Sequence, residues 1–199
     1  MQSDKYNKLD EMLDAGGGYL LTSDVVNAGI SKPTLAAYIN KRGLIRVAHG
    51  VYFSDNYWED GLFLLNVKNK AVCFSHETAL YLHGLMERDP SEYSVTTKNN
   101  YNGTALRRQG FKVYRVKDNI FPLGQTQVKT NYGHLVRTYN KERTICDIIV
   151  HKDRMDIQVF QAAIKGYMTT KDKNLSNLMR YASIMRIEEK VRLYTEMML

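Results

Sequence analysis

The strongest constraint on the fold is a dense run of helix and turn signals between Thr22 and Phe53, TSDVVNAGISKPTLAAYINKRGLIRVAHGVYF. Thr22 can cap a short helix through its hydroxyl, and Gly29 can end that helix in the left-handed conformation. Ser31 can cap a second helix with Pro33 in its first turn, where a missing backbone N–H is harmless. The spacing therefore predicts two helices joined by a glycine turn.

The second helix and its flanks complete the pattern. Leu35 and Ile39 lie one turn apart and are predicted to face the core. Gly43 is predicted to end the helix, and residues 44–53 then alternate like a β-hairpin whose turn is His49-Gly50. An earlier helix is predicted from one apolar stripe, Tyr6, Leu9, Met12 and Leu13. We therefore predict that residues 1–55 form a winged helix-turn-helix.

The predicted winged helix-turn-helix of residues 1–55, called the head below, carries cations on its second helix and hairpin. No Asp or Glu occurs between Val25 and Ser54. A helix that enters the major groove of DNA needs hydrogen-bond donors and short side chains, because base edges lie deep and phosphates line the rim. We therefore predict that the head binds DNA. The alternative is a winged domain that contacts protein and carries its cations as ordinary solvated surface.

The predicted DNA contacts follow from the face of the second helix and from the hairpin. The stripe opposite Leu35 is predicted to be exposed and to consist of Thr34, Ala37, Tyr38 and Lys41. Of these, the residues predicted to enter the major groove are Thr34, Tyr38 and Lys41. The cations predicted to contact phosphates are Lys32 and Arg42. The hairpin residues predicted to lie over the minor groove or its phosphates are Arg46 and His49.

Positive charge is concentrated outside this head. The chain carries a net charge of +7, yet cations and acids balance to zero within residues 1–55. Residues 98–154 contain twelve cations and four acids, which leaves +8 in that segment. Such an excess of positive charge attracts polyanions such as nucleic acids. It predicts secondary DNA contacts at Arg107, Arg108, Lys112, Arg115 and Lys129. Alternatively, these cations keep the domain soluble or face RNA or a protein partner.

Residues 56–199 are predicted to form a second domain, with an α/β core over residues 56–140 and a helical tail over residues 141–199. Short strands are predicted at 71–75, 93–97, 111–116, 125–131 and 134–140, and a helix at 75–85. Apolar stripes predict three tail helices, and the stripe of the last is Ile187, Val191, Tyr194 and Met198. The predicted fold class is therefore α+β, a winged helix-turn-helix followed by a small mixed sheet and helices.

Composition indicates a cytoplasmic protein. Cys73 and Cys146 lie within apolar runs, which predicts buried thiols in a reducing compartment. No apolar run approaches the length that spans a bilayer, and the first residues do not resemble a signal peptide. We therefore expect no membrane partner.

Catalytic patterns are weak throughout the sequence. His76 and His83 fall on one helical face beside Glu77, but their spacing is not that of a zinc-binding HExxH motif. Glu142 and Asp147 resemble acids at a helix start more than a catalytic pair. We therefore expect no catalytic residue, no metal and no cofactor.

Three stretches together resemble the AbiEi antitoxins of abortive-infection systems. They are RVAHGVYF at 46–53, SHETALYLHGL at 75–85 and YNKERTICDII at 139–149. The resemblance implies a winged helix-turn-helix that binds inverted repeats in double-stranded operator DNA and represses its own operon. It also implies that the C-terminal domain counteracts a toxin of nucleotidyltransferase fold, in a type IV system without a stable toxin–antitoxin complex.

The residues that match family patterns are structural in character. They are Gly50-Val51-Tyr52, residues 75–85, Glu142-Arg143-Thr144 and Asp147.

Two function classes remain. The favoured one is an autorepressor and antitoxin. The alternative is a ligand-responsive winged-helix regulator whose C-terminal domain senses a small molecule. A neighbouring gene for a nucleotidyltransferase would separate them.

Overall fold

The computed structural model describes residues 2–196, so Met198 lies outside the described residues. The chain divides into two compact units, Met1–Lys70 with Lys129–Leu135, and Ala71–Val128 with Val136–Leu199. The domain boundary expected near Asp55 thus falls inside the first unit. Over residues 2–196 the structure contains ten α-helices, one short 3-10 helix and two β-sheets, which makes the fold α+β.

The first unit combines four helices with a three-stranded sheet. Its helices are α1 (Gln2–Ala15), α2 (Thr22–Asn27), α3 (Lys32–Arg42) and α4 (Gly61–Lys68). Its strands are β1 (Tyr19–Leu21), β2 (Ile45–Ala48) and β3 (Val51–Phe53). β3 is the central strand and pairs antiparallel with both others. The sequence predicted the β2–β3 hairpin but not β1.

Local signals explain most of these boundaries. The backbone N–H of Thr34 donates to Ser31 Oγ at 3.4 Å, which confirms the predicted cap of α3. Gly43 ends α3 in the left-handed conformation, with φ of 66°. The predicted cap of α2 is wrong, because Thr22 is already its first helical residue and no side chain caps it. Instead, the Thr22 backbone N–H donates to the Gly50 carbonyl of the hairpin.

A single apolar cluster joins the first three helices. Its buried members come from α1, β1, α2, α3 and the turns that connect them: Leu9, Leu13, Leu20, Val25, Ile30, Leu35, Tyr38 and Leu44. The predicted stripe of α1 is confirmed, since Leu9 and Leu13 are buried and Tyr6 and Met12 pack against the cluster. Burial of a large apolar side chain stabilises a fold by about 1.5–3 kcal/mol. These contacts therefore fix the orientation of α3.

A buried aspartate explains why the first unit extends beyond Asp55. Asp60 caps α4 by accepting the Phe63 backbone N–H at 3.0 Å. The same carboxylate accepts a hydrogen bond from the Thr130 hydroxyl at 2.5 Å and lies 2.8 Å from His134 Nδ1. These two contacts reach residues 129–135, which is why that segment groups with the first unit.

The second unit is built on a five-stranded sheet. Its strands are β4 (Cys73–Phe74), β5 (Ser94–Lys98), β6 (Lys112–Val116), β7 (Gln125–Lys129) and β8 (Leu135–Tyr139), in the order β6-β5-β4-β8-β7. The last residue of β7 and the first residue of β8, Lys129 and Leu135, are grouped with the first unit. β5 and β6 run parallel and are connected through a five-residue helix, α6 (Thr104–Arg108). The helix α5 (His76–Leu82) follows β4. The sequence predicted these strands but missed α6.

The helical tail packs into one apolar cluster. It consists of α7 (Lys141–Val150), the 3-10 helix Lys152–Arg154, α8 (Ile157–Thr169), α9 (Leu175–Met185) and α10 (Glu188–Glu196). Its buried residues include Ile148, Phe160, Ile164, Leu178 and Val191. Within the described part of the chain, no helix has both the length and the apolar character needed to cross a bilayer.

Candidate nucleic-acid interface

The exposed face of α3 consists mainly of short side chains and cations. Its exposed residues are Lys32, Pro33, Ala36, Ala37, Asn40, Lys41 and Arg42. Lys32, Ala36 and Asn40 follow one another at four-residue intervals and so share a stripe. The two alanines between Lys32 and Asn40 leave the helix backbone open to close approach. Asn40 is not among the contacts predicted from the sequence, although its amide can pair with two atoms of an adenine edge.

Tyr38 is buried, so the prediction that it belongs to the exposed stripe is wrong. Its phenol donates a hydrogen bond of 2.6 Å to Asp10 Oδ1 on α1, and its ring meets Tyr6 edge-on at 5.4 Å. Burial, followed by the hydrogen bond to Asp10, raises the pKa of Tyr38 well above its usual value. Its side chain is therefore a core group that holds α3 against α1, and it does not reach a groove.

The cations at the end of α3 already have partners within the unit. Arg42 Nη2 lies 2.5 Å from Asp10 Oδ2, and both side chains remain partly exposed. Although desolvation opposes the shift, hydrogen bonds from Tyr38 and Arg42 lower the pKa of Asp10. Lys41 Nζ lies 5.0 Å from the centre of the Tyr6 ring. Lys32, at the other end of the helix, is exposed.

Thr34 is half-buried and takes part in the helix cap. Its hydroxyl oxygen lies 2.9 Å from Ser31 Oγ, and its backbone N–H donates to the same atom. The hydroxyl can still offer one more hydrogen bond outward.

Arg46 and His49 lie together on the hairpin. Both side chains are exposed, and Arg46 Nη2 lies 3.1 Å from His49 Nδ1. A guanidinium can only donate, so His49 Nδ1 accepts and its proton resides on Nε2. The register of the hairpin shifts between Arg46 and Ala48, and Gly50 adopts a positive φ of 70° in the turn. The predicted hairpin with its turn at His49-Gly50 is confirmed. The sequence did not predict the contact between Arg46 and His49.

Four of the five predicted secondary contacts lie in the second unit, and Lys129 is grouped with the first unit. Arg107, Arg108 and Arg115 are exposed on α6 and β6. Lys112 is partly neutralised, because its Nζ lies 3.3 Å from Glu77 and 3.9 Å from Glu92. Lys129 ends β7, at the opposite edge of the sheet from β6.

The histidines of the second unit are internal. His76 is buried at a positive φ of 49°, stacks on Tyr114 and places Nε2 3.0 Å from His151 Nδ1. Desolvation and the neighbouring positive groups lower the pKa of His76 well below its usual value. Ser75 precedes α5 but does not cap it, since its hydroxyl contacts His76 Nδ1 and Thr96 instead. His83 Nε2 lies 2.7 Å from the Tyr139 carbonyl oxygen.

Among the residues that the structure describes, no group of three or more His, Cys, Asp or Glu side chains could hold a metal ion. Cys73 and Cys146 are buried free thiols, as predicted, and burial raises the pKa of Cys146 to about 12. Both thiols are therefore protonated and weak nucleophiles at neutral pH.

The acids of α7 have structural partners. Asp147 Oδ1 lies 3.0 Å from Arg143 Nε, and both side chains are buried. Glu142 accepts hydrogen bonds from the Tyr167 hydroxyl at 3.2 Å and the Asn174 backbone N–H at 3.1 Å. These contacts tie α7 to its neighbouring helices.

The fold is distantly similar to solved structures. No protein-family model and no curated protein matches the sequence. The chain is similar to the crystal structure of RV2827C protein from Mycobacterium tuberculosis at 10% sequence identity and a TM-score of 0.44, over 94% of this chain and 79% of that chain.

Proposed function

We propose that the first unit is a winged helix-turn-helix that binds operator DNA. In this proposal α2 and α3 are the two helices of the motif, α3 enters the major groove and the β2–β3 hairpin is the wing. The support is the exposed face of α3, which carries no acid. Lys32, Ala36 and Asn40 line that face, and buried Leu35 and Tyr38 fix its direction.

The side chains on this face suit different parts of the duplex. Asn40 is proposed to read a base edge, since a carboxamide offers a donor and an acceptor side by side. Lys32 is proposed to contact phosphate, because a lysine ammonium acts as a mobile point charge. Arg46 and His49 are proposed to contact the adjacent minor groove or its phosphates. Arg42 is proposed to contribute less than Lys32, because its charge is shared with Asp10.

Base reading by Asn40 can be tested with a matched variant. Binding of the full chain to the DNA upstream of its own reading frame would be measured by gel shift. Asn40→Ala is expected to weaken binding by about 1–3 kcal/mol, the usual scale for a base-reading contact. Asn7→Ala removes the same side chain from an exposed position of α1 and is expected to bind like the wild type. Equal affinity of both variants would place the reading face elsewhere.

We also propose that the chain is the antitoxin and autorepressor of an AbiE-type system. The support is the resemblance carried by RVAHGVYF, SHETALYLHGL and YNKERTICDII. In this proposal the second unit counteracts a toxin of nucleotidyltransferase fold without forming a stable complex with it.

The antitoxin role can be separated from repression with the full chain. A chain carrying both Asn40→Ala and Arg46→Ala is expected to lose repression of its own promoter and still protect cells that express the neighbouring toxin gene. Protection is expected to persist because both substitutions lie on exposed positions of the first unit and remove no core contact. Loss of protection together with repression would contradict this division of labour.

A further inference from the structure

A cationic cleft lies in the second unit, where the parallel strands β5 and β6 end. Its volume is about 440 Å³, and Asn99, Arg115 and Lys117 from the ends of these strands line it together with Arg186 after α9. Cavities of this size are typical of small-molecule sites. Ligands of open α/β sheets also bind beside the carboxyl ends of parallel strands. Size and position therefore both indicate a ligand site.

The charge of the cleft has one sign. Arg115, Lys117 and Arg186 line it, and in the described part of the chain no carboxylate does. The nearest acids in sequence are Asp118, which lies 3.9 Å from Lys98 Nζ, and Glu188, in the first turn of α10. The ends of α7 and α9 also reach the cleft, and a helix C-terminus carries about half a negative charge. Three full positive charges outweigh these two helix ends and leave the cleft electropositive.

Arg186 occupies a backbone conformation that disfavours its side chain. It follows α9 in the left-handed region, with φ of 60° and ψ of 44°. This position is usually glycine, because a Cβ atom is strained there. Backbone hydrogen bonds from Arg186 and Ile187 to the last turn of α9 hold Arg186 in this conformation, in the lining of the cleft.

The remaining lining identifies the kind of ligand. Ile184, Met185 and Ile187 form an apolar wall, and Asn99 and Asn119 add amide groups. A phosphate monoester carries about −1.5 to −2 at pH 7, so three cations suit phosphate better than a singly charged carboxylate. Among the described residues, no aromatic side chain lines the cleft. The bases of a single-stranded nucleic acid would therefore have no aromatic ring on which to stack. An apolar wall beside the cations leaves room for an uncharged body attached to the phosphate.

We propose that this cleft binds a nucleoside phosphate. Arg115, Lys117 and Arg186 hold its phosphates, the apolar wall packs against the nucleoside, and the amides of Asn99 and Asn119 hydrogen-bond to its polar edges. This site is independent of the proposed DNA-binding face, because every lining residue belongs to the second unit.

Equilibrium dialysis of the full chain against labelled ADP tests the proposal. ADP is expected to bind at a single saturable site, pyrophosphate to compete more weakly than unlabelled ADP, and adenosine to compete least. Arg186→Gly is expected to reduce ADP affinity at least tenfold. The same change relieves the backbone strain, so the thermal midpoint of this variant should equal or exceed that of the wild type. Lys165→Ala removes an exposed cation of α8 outside the cleft and should bind ADP like the wild type.

Three results would overturn the proposal. The first is the absence of saturable ADP binding to the wild type. The second is equal ADP affinity of Arg186→Gly and the wild type. The third is competition by pyrophosphate as strong as that by ADP, which would leave no role for the nucleoside. Operator affinity of Arg186→Gly, measured in parallel, should be unchanged. A loss of operator affinity without ADP binding would make the cleft part of the DNA surface and exclude a nucleotide site.

Discussion

The phenol of Tyr38 donates a 2.6 Å hydrogen bond to Asp10, 28 residues earlier in the chain, and so joins α3 to α1. Asp10 also accepts from Arg42, which places two residues of α3 on one carboxylate of α1. This arrangement sets the direction of the exposed face of α3. Side chains of α3 that turn toward α1 stabilise the unit, and those that turn away are available to a ligand.

Tyr38→Phe separates these two roles. Loss of the phenol is expected to lower the free energy of unfolding by about 1.5–3 kcal/mol, the scale of a hydrogen bond to a charged group. Operator affinity of the folded variant should stay within about twofold of the wild type, since the side chain is buried. Urea denaturation and gel shift would measure the two quantities. If Tyr38→Phe is as stable as the wild type but binds the operator more weakly, Tyr38 belongs to the DNA interface.

The buried His76 predicts a loss of stability in acid. Its pKa is lowered, chiefly by desolvation, so it stays neutral in the folded chain at pH values where an unfolded histidine, with a pKa near 6.5, is protonated. The unfolded state then binds more protons, and the free energy of unfolding falls as the pH drops below about 6.5. His76→Asn, which suits the positive φ, should show a flatter decline of the thermal midpoint between pH 7.5 and pH 5.5.

The remaining decline in that variant should come from His83 and His151, whose pKa values are also lowered, mainly by desolvation. Identical declines in the wild type and in His76→Asn would mean that His76 is not the group that titrates.

The buried Arg143–Asp147 pair predicts a non-additive effect of mutation. Arg143→Met leaves Asp147 as an unpaired buried charge and is expected to cost about 3–5 kcal/mol of unfolding free energy. Replacing both residues, with Arg143→Met and Asp147→Leu together, should recover part of that loss because no isolated charge remains. A double variant as unstable as the sum of the two single ones would argue against direct coupling.

The sequence predicted the boundaries of α3 well, because Ser31, Pro33 and Gly43 act locally. It placed Tyr38 on the wrong face, because a tyrosine has both an apolar ring and a polar group and its partner, Asp10, is distant in sequence. It missed α6, since five residues are too short to show helical periodicity. The grouping of residues 129–135 with the first unit rests on Asp60 and His134, whose contact spans 74 residues and leaves no local signal.

The residues of the candidate sites also differ in how well the sequence predicted them. Lys32, Arg46 and His49 were predicted from sequence because they are charged or titratable residues on predicted surface elements. Asn40 was missed, because only the burial of Leu35 and Tyr38 shows which way the helix turns. The cleft that contains Arg186 could not be predicted, since it brings together strand ends and a helix end from distant parts of the chain.

The most direct test of the proposed DNA-binding face is the salt dependence of operator affinity, measured with the full chain. Plots of log affinity against log salt would be compared for wild type, Lys32→Ala and Asn40→Ala on the operator and on a scrambled duplex. Each phosphate contact contributes a slope of about −0.9 on duplex DNA. Lys32→Ala should make the slope shallower by about one such contact and lower the affinity for both duplexes equally. Asn40→Ala should keep the slope and lower the affinity for the operator alone. Unchanged slopes and unchanged discrimination in both variants would contradict the assignment of α3 to the major groove.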